Sequence, residues 1–317
     1  MISVHLEAGR VAVRTIAAPE RREGFALIRL VAGGICNTDL ELQRGYYGFS
    51  GTPGHEFVGV VAEAETASLR GKRVTGEINL ACTTCKWCRR GLGRHCPHRT
   101  VLGIMRHPGA FSEFLTLPER NLHIVPDSIA AEVAVFTEPL AAACQILQQV
   151  PIPVGSAVAV LGDGKLGLLI AQVLQANGCR VHQFGRHKAK LRISEKAGIT
   201  TEISSGEMPE AEYRWVVDAT GSAEGLQAAV RMVEPCGTVI LKSTVHGAVA
   251  VDTAPVIVNE IKLVGSRCGP FGPALDLLER GAVDVTAMIS ETLPLTDAPR
   301  GFETAARKGV LKVLLTN

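Results

Sequence analysis

The pattern of apolar and polar positions changes period near residue 128. Before that point, short runs alternate or are rich in β-branched residues: ALIRLVAG, EFVGVVAEA, GKRVTGEI and AFSEFLTL, broken by Gly, Pro and Asn. Such runs predict strands. SIAAEVAVFTEPLAAACQILQQV carries apolar residues at helical spacing, with Ser128 placed to cap the first turn. PIPVGS then reads as a boundary. From Ala157 onward, strand and helix patterns alternate: AVAVLG with KLGLLIAQVLQANG, RVHQFG with KAKLRISEKAG, RWVVDATG with SAEGLQAAVRMV, then GTVILKS, IKLVGS and ALDLLERG. Repeated strand-helix units predict a parallel sheet covered on both faces. The tail, VLKVLL, predicts a strand that pairs with the first domain. The expected class is α/β, with a β-rich domain over 1–150, a doubly wound domain over 151–280 and a return of 281–317 to the first domain.

Composition narrows the partners. The 317 residues suit two domains, and 46% hydrophobic residues suffice for two cores. A net charge of +2, with both signs mixed and no basic stripe, excludes nucleic acid as the expected partner. No run reaches the roughly 18 apolar residues of a membrane helix. MISVHLEAGR lacks the basic and apolar regions of a secretory signal. Nine cysteines, five of them in metal-like contexts, fit a reducing cytoplasm better than a disulfide scaffold.

LGDGKLG supplies G-x-G-x-x-G at Gly162, Gly164 and Gly167, after an apolar strand and at the start of a helix. That context marks a dinucleotide site. Gly162 allows the tight turn, Gly164 the approach of a pyrophosphate, and Gly167 close helix-strand packing; Lys165 and Leu166 open the helix that receives the pyrophosphate. An NAD site ends its second strand in Asp or Glu, which accepts from the ribose 2′-OH. Here that slot holds Gly185, followed by Arg186, His187 and Lys188. Gly removes the repulsion of a 2′-phosphate and Arg186 offers it a planar fork, so NADP(H) is expected over NAD(H).

Cys82, Cys85, Cys88 and Cys96 follow the spacing C-x2-C-x2-C-x7-C, in a lobe spanning about residues 80–100. Four thiolates form a closed tetrahedral cage that suits a structural zinc. A closed cage leaves no position for substrate, so the chemistry is expected elsewhere. Cys36 and His55 offer sulfur and nitrogen, and Glu138 or Glu56 offers oxygen, for a catalytic zinc with an open position.

These motifs together resemble the zinc-dependent medium-chain alcohol dehydrogenase family, over nearly all of the chain. The family pattern G-x-C-x-x-D matches Gly34, Cys36 and Asp39, and G-H-E matches Gly54, His55 and Glu56. The four cysteines match its structural zinc lobe, and E-P-L at Glu138 resembles the polyol and sugar branch. The resemblance implies a GroES-like catalytic domain, a Rossmann domain, a cleft between them, and a homodimer or homotetramer. It also implies one catalytic and one structural Zn2+ per chain, with Glu138 the first choice as third catalytic ligand. Glu56 either coordinates the metal or orders its water. Asp39 is expected to accept from the His55 imidazole, and Thr38 to relay a proton from a small alcohol or carbonyl substrate. Thr220, Gly221 and Ser266 fall where the family lines its nicotinamide pocket. Arg267 is placed to reach a phosphate and His107 to line the cleft. Many relatives carry His two residues beyond the Asp; this chain has Glu41, which points to a polyhydroxylated substrate, to a relay through the cofactor ribose, or to solvent. The leading expectation is an NADP-dependent zinc alcohol or polyol dehydrogenase. Two alternatives stand beside it: a zinc-free NADPH-dependent enone or carbonyl reductase, and a non-catalytic NADPH-binding or redox-sensing protein.

Overall fold

The structure is a computed structural model and describes residues 1–204, 208–243 and 248–317. The chain divides into one unit of Met1–Glu138 with Met288–Asn317 and a second of Pro139–Ala287. The division falls at the start of the helix Thr137–Gln149, ahead of the PIPVGS boundary read from composition.

The first unit is built on the ten-residue strand Phe25–Gly34. One sheet runs Leu122–Ile124, Arg73–Gly76, Glu56–Glu63, Phe25–Gly34, Lys312–Thr316, Ile289–Pro294, and Phe114–Pro118 also pairs with the long strand. The long strand holds two neighbours along one edge because Phe114–Pro118 pairs with its first half, residues 25–29, and Lys312–Thr316 with its last, residues 32–34. Ile28, Leu30, Val58, Leu117 and Leu314 fill the core with no exposed surface. As the tail pattern predicts, Lys312–Thr316 pairs antiparallel with this strand, placing Leu314 opposite Gly34. Gly34 also stands opposite Glu56. A hairpin of Ile2–Glu7 and Arg10–Thr15, which the pattern did not announce, turns at Ala8 and Gly9 with φ 46° and 77°. Positive φ at both central residues gives the twist such hairpins need.

The helical stretch from Ser128 differs from expectation. It forms two pieces, Ala131–Ala134 and Thr137–Gln149, and the first is capped at Ala130 rather than Ser128. The Thr137 hydroxyl donates to the Ala134 carbonyl at 2.7 Å, taking an acceptor at the break and starting the second helix.

The second unit holds a six-stranded sheet in which every pairing is parallel. Counted from Ala157–Leu161, its order is 3-2-1-4-5-6, with Arg180–Gly185 and Thr200–Ile203 on one side and Tyr213–Asp218, Val233–Leu241 and Lys262–Gly265 on the other. This is the Rossmann order, and ligands bind outside the carboxyl ends of the strands where the order reverses. The helix Lys165–Ala176 follows the first strand and buries Gly167 through Leu174. Phe184 and Tyr213 join one core with Val216 and Val239, to which the helix Ala223–Met232 contributes Ala229, Val230 and Met232. Among the described residues, no helix is long and apolar enough to cross a membrane.

Candidate active site

The sulfur lobe has little regular structure: a four-residue helix Lys86–Arg89 and a single turn Gly93–His95. Its cysteines nonetheless converge. Sγ–Sγ distances are 3.9 Å for Cys82–Cys88, 3.5 Å for Cys85–Cys88, 3.8 Å for Cys85–Cys96 and 3.5 Å for Cys82–Cys96. Zinc–sulfur bonds of about 2.3 Å put the corners of a tetrahedron about 3.8 Å apart, so the cage has the size of a zinc site. Backbone N–H groups of Thr84 and Cys85 lower the Cys82 thiol to about 5, whereas desolvation and the neighbouring sulfurs push Cys88 up to about 12.

A second cluster forms where the long strand meets its neighbours. Atoms of Cys36, His55 and Glu56 lie within 4.8 Å of one another. Cys36 precedes the helix Asn37–Gln43, and Asp39 in its first turn is fully buried. The Asp39 carboxylate accepts from the backbone N–H of Cys36 at 2.8 Å and of Gly54 at 3.1 Å. Its Oδ1 also lies 3.4 Å from His55 Nδ1, longer than a hydrogen bond. One carboxylate thus ties together the segments that carry the cysteine and the histidine, with Nδ1 of the ring toward Asp39. Burial alone lowers the His55 pKa, but negative Asp39 and Cys36 reverse this and hold it well above 6.5. Two polar atoms here are buried without a hydrogen bond: His55 Nδ1 and Glu56 Oε1. Glu56 Oε2 accepts from the ammonium of Lys312, and both side chains are 1% exposed. Unsatisfied buried lone pairs beside a thiol and an imidazole fit a divalent metal. Sequence reasoning missed Lys312, because nothing local links it to a residue 256 positions away. Gly34 makes room for the pair, since a Cβ there would stand 2.6 Å from Glu56 Oε2.

Glu138, the second residue of its helix, does not join Cys36, His55 and Glu56 within that distance. Thr38 is half-buried, with its Oγ1 3.8 Å from Cys36 Sγ. Glu41, one turn further along, pairs with Arg44 at 2.6 Å. His107 lines a cavity of about 1120 Å³ with His5, Arg22, Tyr47 and Phe49; neither Cys36 nor His55 borders it.

In the second unit, the glycine-rich turn joins Ala157–Leu161 to the helix Lys165–Ala176. Gly162 has φ 116°, and a Cβ on Gly167 would stand 2.3 Å from the Gly162 carbonyl oxygen. A Cβ on Gly164 would meet nothing within 4 Å, so the turn opens a bare cradle at the helix N-terminus. This fits a dinucleotide pyrophosphate. Beyond Gly185, Arg186 and Lys188 are exposed. His187 donates its backbone N–H to Asp163 Oδ2 at 2.5 Å, and its Nδ1 lies 3.0 Å from the same oxygen. At the far strands, Thr220 gives its N–H and hydroxyl to Asp218, and Gly221 turns with φ 70°. Ser266 Oγ and the Arg267 carbonyl meet the ammonium of Lys242 at 3.2 and 3.0 Å. The sequence reading passed over both Asp163 and Lys242. Asp163 sits inside the glycine motif itself, at the position the motif leaves free.

Comparison with known proteins agrees with this geometry. The family model for the alcohol dehydrogenase GroES-like domain matches residues 22–127, and that for the zinc-binding dehydrogenase matches residues 166–280. The chain is 31% identical over 310 residues to D-altritol 5-dehydrogenase of Agrobacterium fabrum, covering 92% of each protein. It is 27% identical to D-arabitol-phosphate dehydrogenase of Enterococcus avium, over 95% of this chain and 92% of that one. A zinc-binding dehydrogenase of Sinorhizobium meliloti 1021, solved bound to NADP, superposes with a TM-score of 0.92 at 29% identity, over 100% of this chain and 99% of that one. Two family models in chain order and a relative aligned over nearly the full length of both proteins leave one assignment: the chain belongs to the zinc-type medium-chain alcohol dehydrogenase family of oxidoreductases, a GroES-like domain joined to a Rossmann domain.

Proposed function

We propose that the protein is an NADP(H)-dependent zinc dehydrogenase of polyols or related secondary alcohols. The observation that carries this reading is the buried meeting of Cys36, His55 and Glu56, with Glu56 Oε1 left without a hydrogen bond. In this reading Cys36 Sγ, His55 Nε2 and Glu56 Oε1 hold the metal, and Glu138 stands as the alternative oxygen ligand. A zinc held there supplies Lewis acidity toward the substrate oxygen. The residues do the rest. The Asp39 charge, 3.4 Å from His55 Nδ1, favours the ring proton on that nitrogen and leaves Nε2 to face the metal. Lys312 holds Glu56 through Oε2 and leaves Oε1 for the metal. Thr38 offers a hydroxyl that accepts the substrate O–H proton while passing its own proton on to solvent. Glu41 shares a helix face with it, three residues on, and accepts from a further hydroxyl of a polyol.

The dinucleotide rests on Gly162, Gly164, Lys165, Leu166 and Gly167, with the nicotinamide half toward Thr220, Gly221 and Ser266. When bound, it supplies the hydride chemistry. Arg186 contacts the 2′-phosphate, and the relative solved with NADP supports that choice. Relatives named for altritol and arabitol phosphate support a polyhydroxylated substrate. A second zinc in the Cys82–Cys96 lobe, a homodimer or homotetramer and a cytoplasmic setting complete the reading. The zinc-free reductase is disfavoured because it gives no role to a buried thiol, imidazole and carboxylate set.

The test is steady-state turnover of zinc-loaded protein with NADP+ and NAD+ over simple alcohols, polyols and aldoses, with Cys36→Ser as control. Turnover that prefers NADP+ and falls at least a hundredfold in the control is expected. Turnover undiminished in Cys36→Ser overturns the metal site. Zinc analysis is expected to give two ions per wild-type chain and one in the variant.

A further inference from the structure

Asp163 explains Gly185 differently from a simple absence of side chain. A Cβ built on Gly185 would stand 2.6 Å from Asp163 Cβ and 2.9 Å from its Cγ and Oδ2. Real Cβ atoms do not approach so closely, so the two positions exclude each other. The volume that an acidic residue at the end of the second strand would fill is already filled by a carboxylate from the glycine-rich turn. That carboxylate is nearly buried, with its side chain 10% exposed. Its Oδ2 takes both donors of His187, whereas Oδ1 accepts no hydrogen bond among the described residues.

We propose that Asp163 is a specificity-determining residue of the adenosine-ribose site: it supplies from the first turn the carboxylate that NAD sites carry at the end of the second strand, and so lets this chain take NAD(H) as well as NADP(H). The inference rests on the reading of this crevice as an NADP(H) site. Oδ1 accepts from the ribose 2′-OH of NAD(H). Oδ2 holds the backbone of His187 and with it the turn that carries Arg186 and Lys188. The site therefore combines two opposed elements. Arg186 and Lys188 attract a 2′-phosphate, and one negative charge beside them opposes it. Dinucleotide sites ordinarily carry one or the other, an acidic residue for the ribose 2′-OH or an Arg nearby for the 2′-phosphate. Here they come from two elements, the glycine turn and the start of the helix Lys188–Lys196, so both persist in one protein.

Equilibrium binding of NADPH and NADH, followed by nicotinamide fluorescence without substrate, tests this in wild type, Asp163→Asn and Arg186→Gln. Asp163→Asn keeps size and an acceptor for His187 while removing the charge. It is expected to raise the ratio Kd(NADH)/Kd(NADPH) on the order of tenfold, by tightening NADPH and weakening NADH. A ratio unchanged or lowered, with the thermal midpoint within a few degrees of wild type, overturns the proposal and leaves Asp163 a brace for the turn. A paired change, Asp163→Gly with Gly185→Asp, moves the carboxylate to the strand end and is expected to restore NADH binding. Failure of that pair to bind NADH, while still folded by circular dichroism, also counts against the proposal. Arg186→Gln reports on the underlying reading alone: it is expected to lower the ratio, and a ratio unchanged there removes the 2′-phosphate contact without touching the Asp163 result.

Discussion

Lys312 shows how much one side chain carries. Its ammonium is 1% exposed, bonds to Glu56 and lies 5.5 Å from the Phe136 ring centre. Burial by itself would lower its pKa, but the charges of Glu56 and Cys36 reverse this and raise it. The ammonium therefore stays charged opposite a carboxylate. In the metal-free protein, Lys312→Met leaves the Glu56 side chain buried without its cationic partner. Breaking a buried pair by removing one partner costs about 3–5 kcal/mol, so the urea midpoint of this variant is expected to fall sharply. A change under 1 kcal/mol would overturn the reading of Lys312 and Glu56 as a buried pair. None of this is legible in VLKVLL, which announces only a strand. The G-x-C-x-x-D and G-H-E motifs, in contrast, marked Cys36, His55 and Asp39 as candidates from local sequence, and the fold brings the three together.

Among the elements, the sulfur lobe and the glycine-rich turn depend on opposite things. The lobe consists of one helical turn, short strands and loops, too little to bury a core of its own. Its order is expected to come from the metal. Cys96→Ser is expected to release one zinc per chain and to open residues 82–96 to limited proteolysis, while NADPH binding by the second unit persists. The turn instead depends on contact between backbones. Gly167→Ala would push the helix from the Gly162 carbonyl and is expected to weaken NADPH binding at least tenfold in a fluorescence titration, with zinc content unchanged. Local sequence signalled both elements well. The stretch from Ser128 was read less well: its period is helical throughout, but the chain breaks before Thr137, where a side-chain hydroxyl takes a backbone carbonyl.

On the scale of the molecule, the chain leaves the first unit at Glu138 and re-enters it at Met288. The returning strand Lys312–Thr316 lies inside the sheet, between Phe25–Gly34 and Ile289–Pro294. Leu314 and Leu315 within it are fully buried. Deleting residues 312–317 removes an interior strand, its apolar side chains and the Glu56 counter-ion together. The first unit is then expected to lose protease resistance and metal at Cys36 and His55, while the parallel sheet of the second unit keeps binding NADPH. Native-like proteolysis of the shortened protein would show that the strand is dispensable.

The sequence by itself determined what rests on neighbours in the chain. Alternating strand and helix periods set the parallel sheet, G-x-G-x-x-G marked its ligand end, and cysteine spacing marked the sulfur cage. Only the tertiary structure decided which groups from distant segments share a volume. It brought Lys312 against Glu56 and gathered Glu56 with Cys36 and His55, leaving Glu138 outside that group. It also set Asp163 in the space over Gly185. Periodicity and spacing report on contacts a few residues apart, whereas sheet register and close approach between elements fix which carboxylate meets which cation. Those choices set the charge, the hydration and therefore the chemistry of the site.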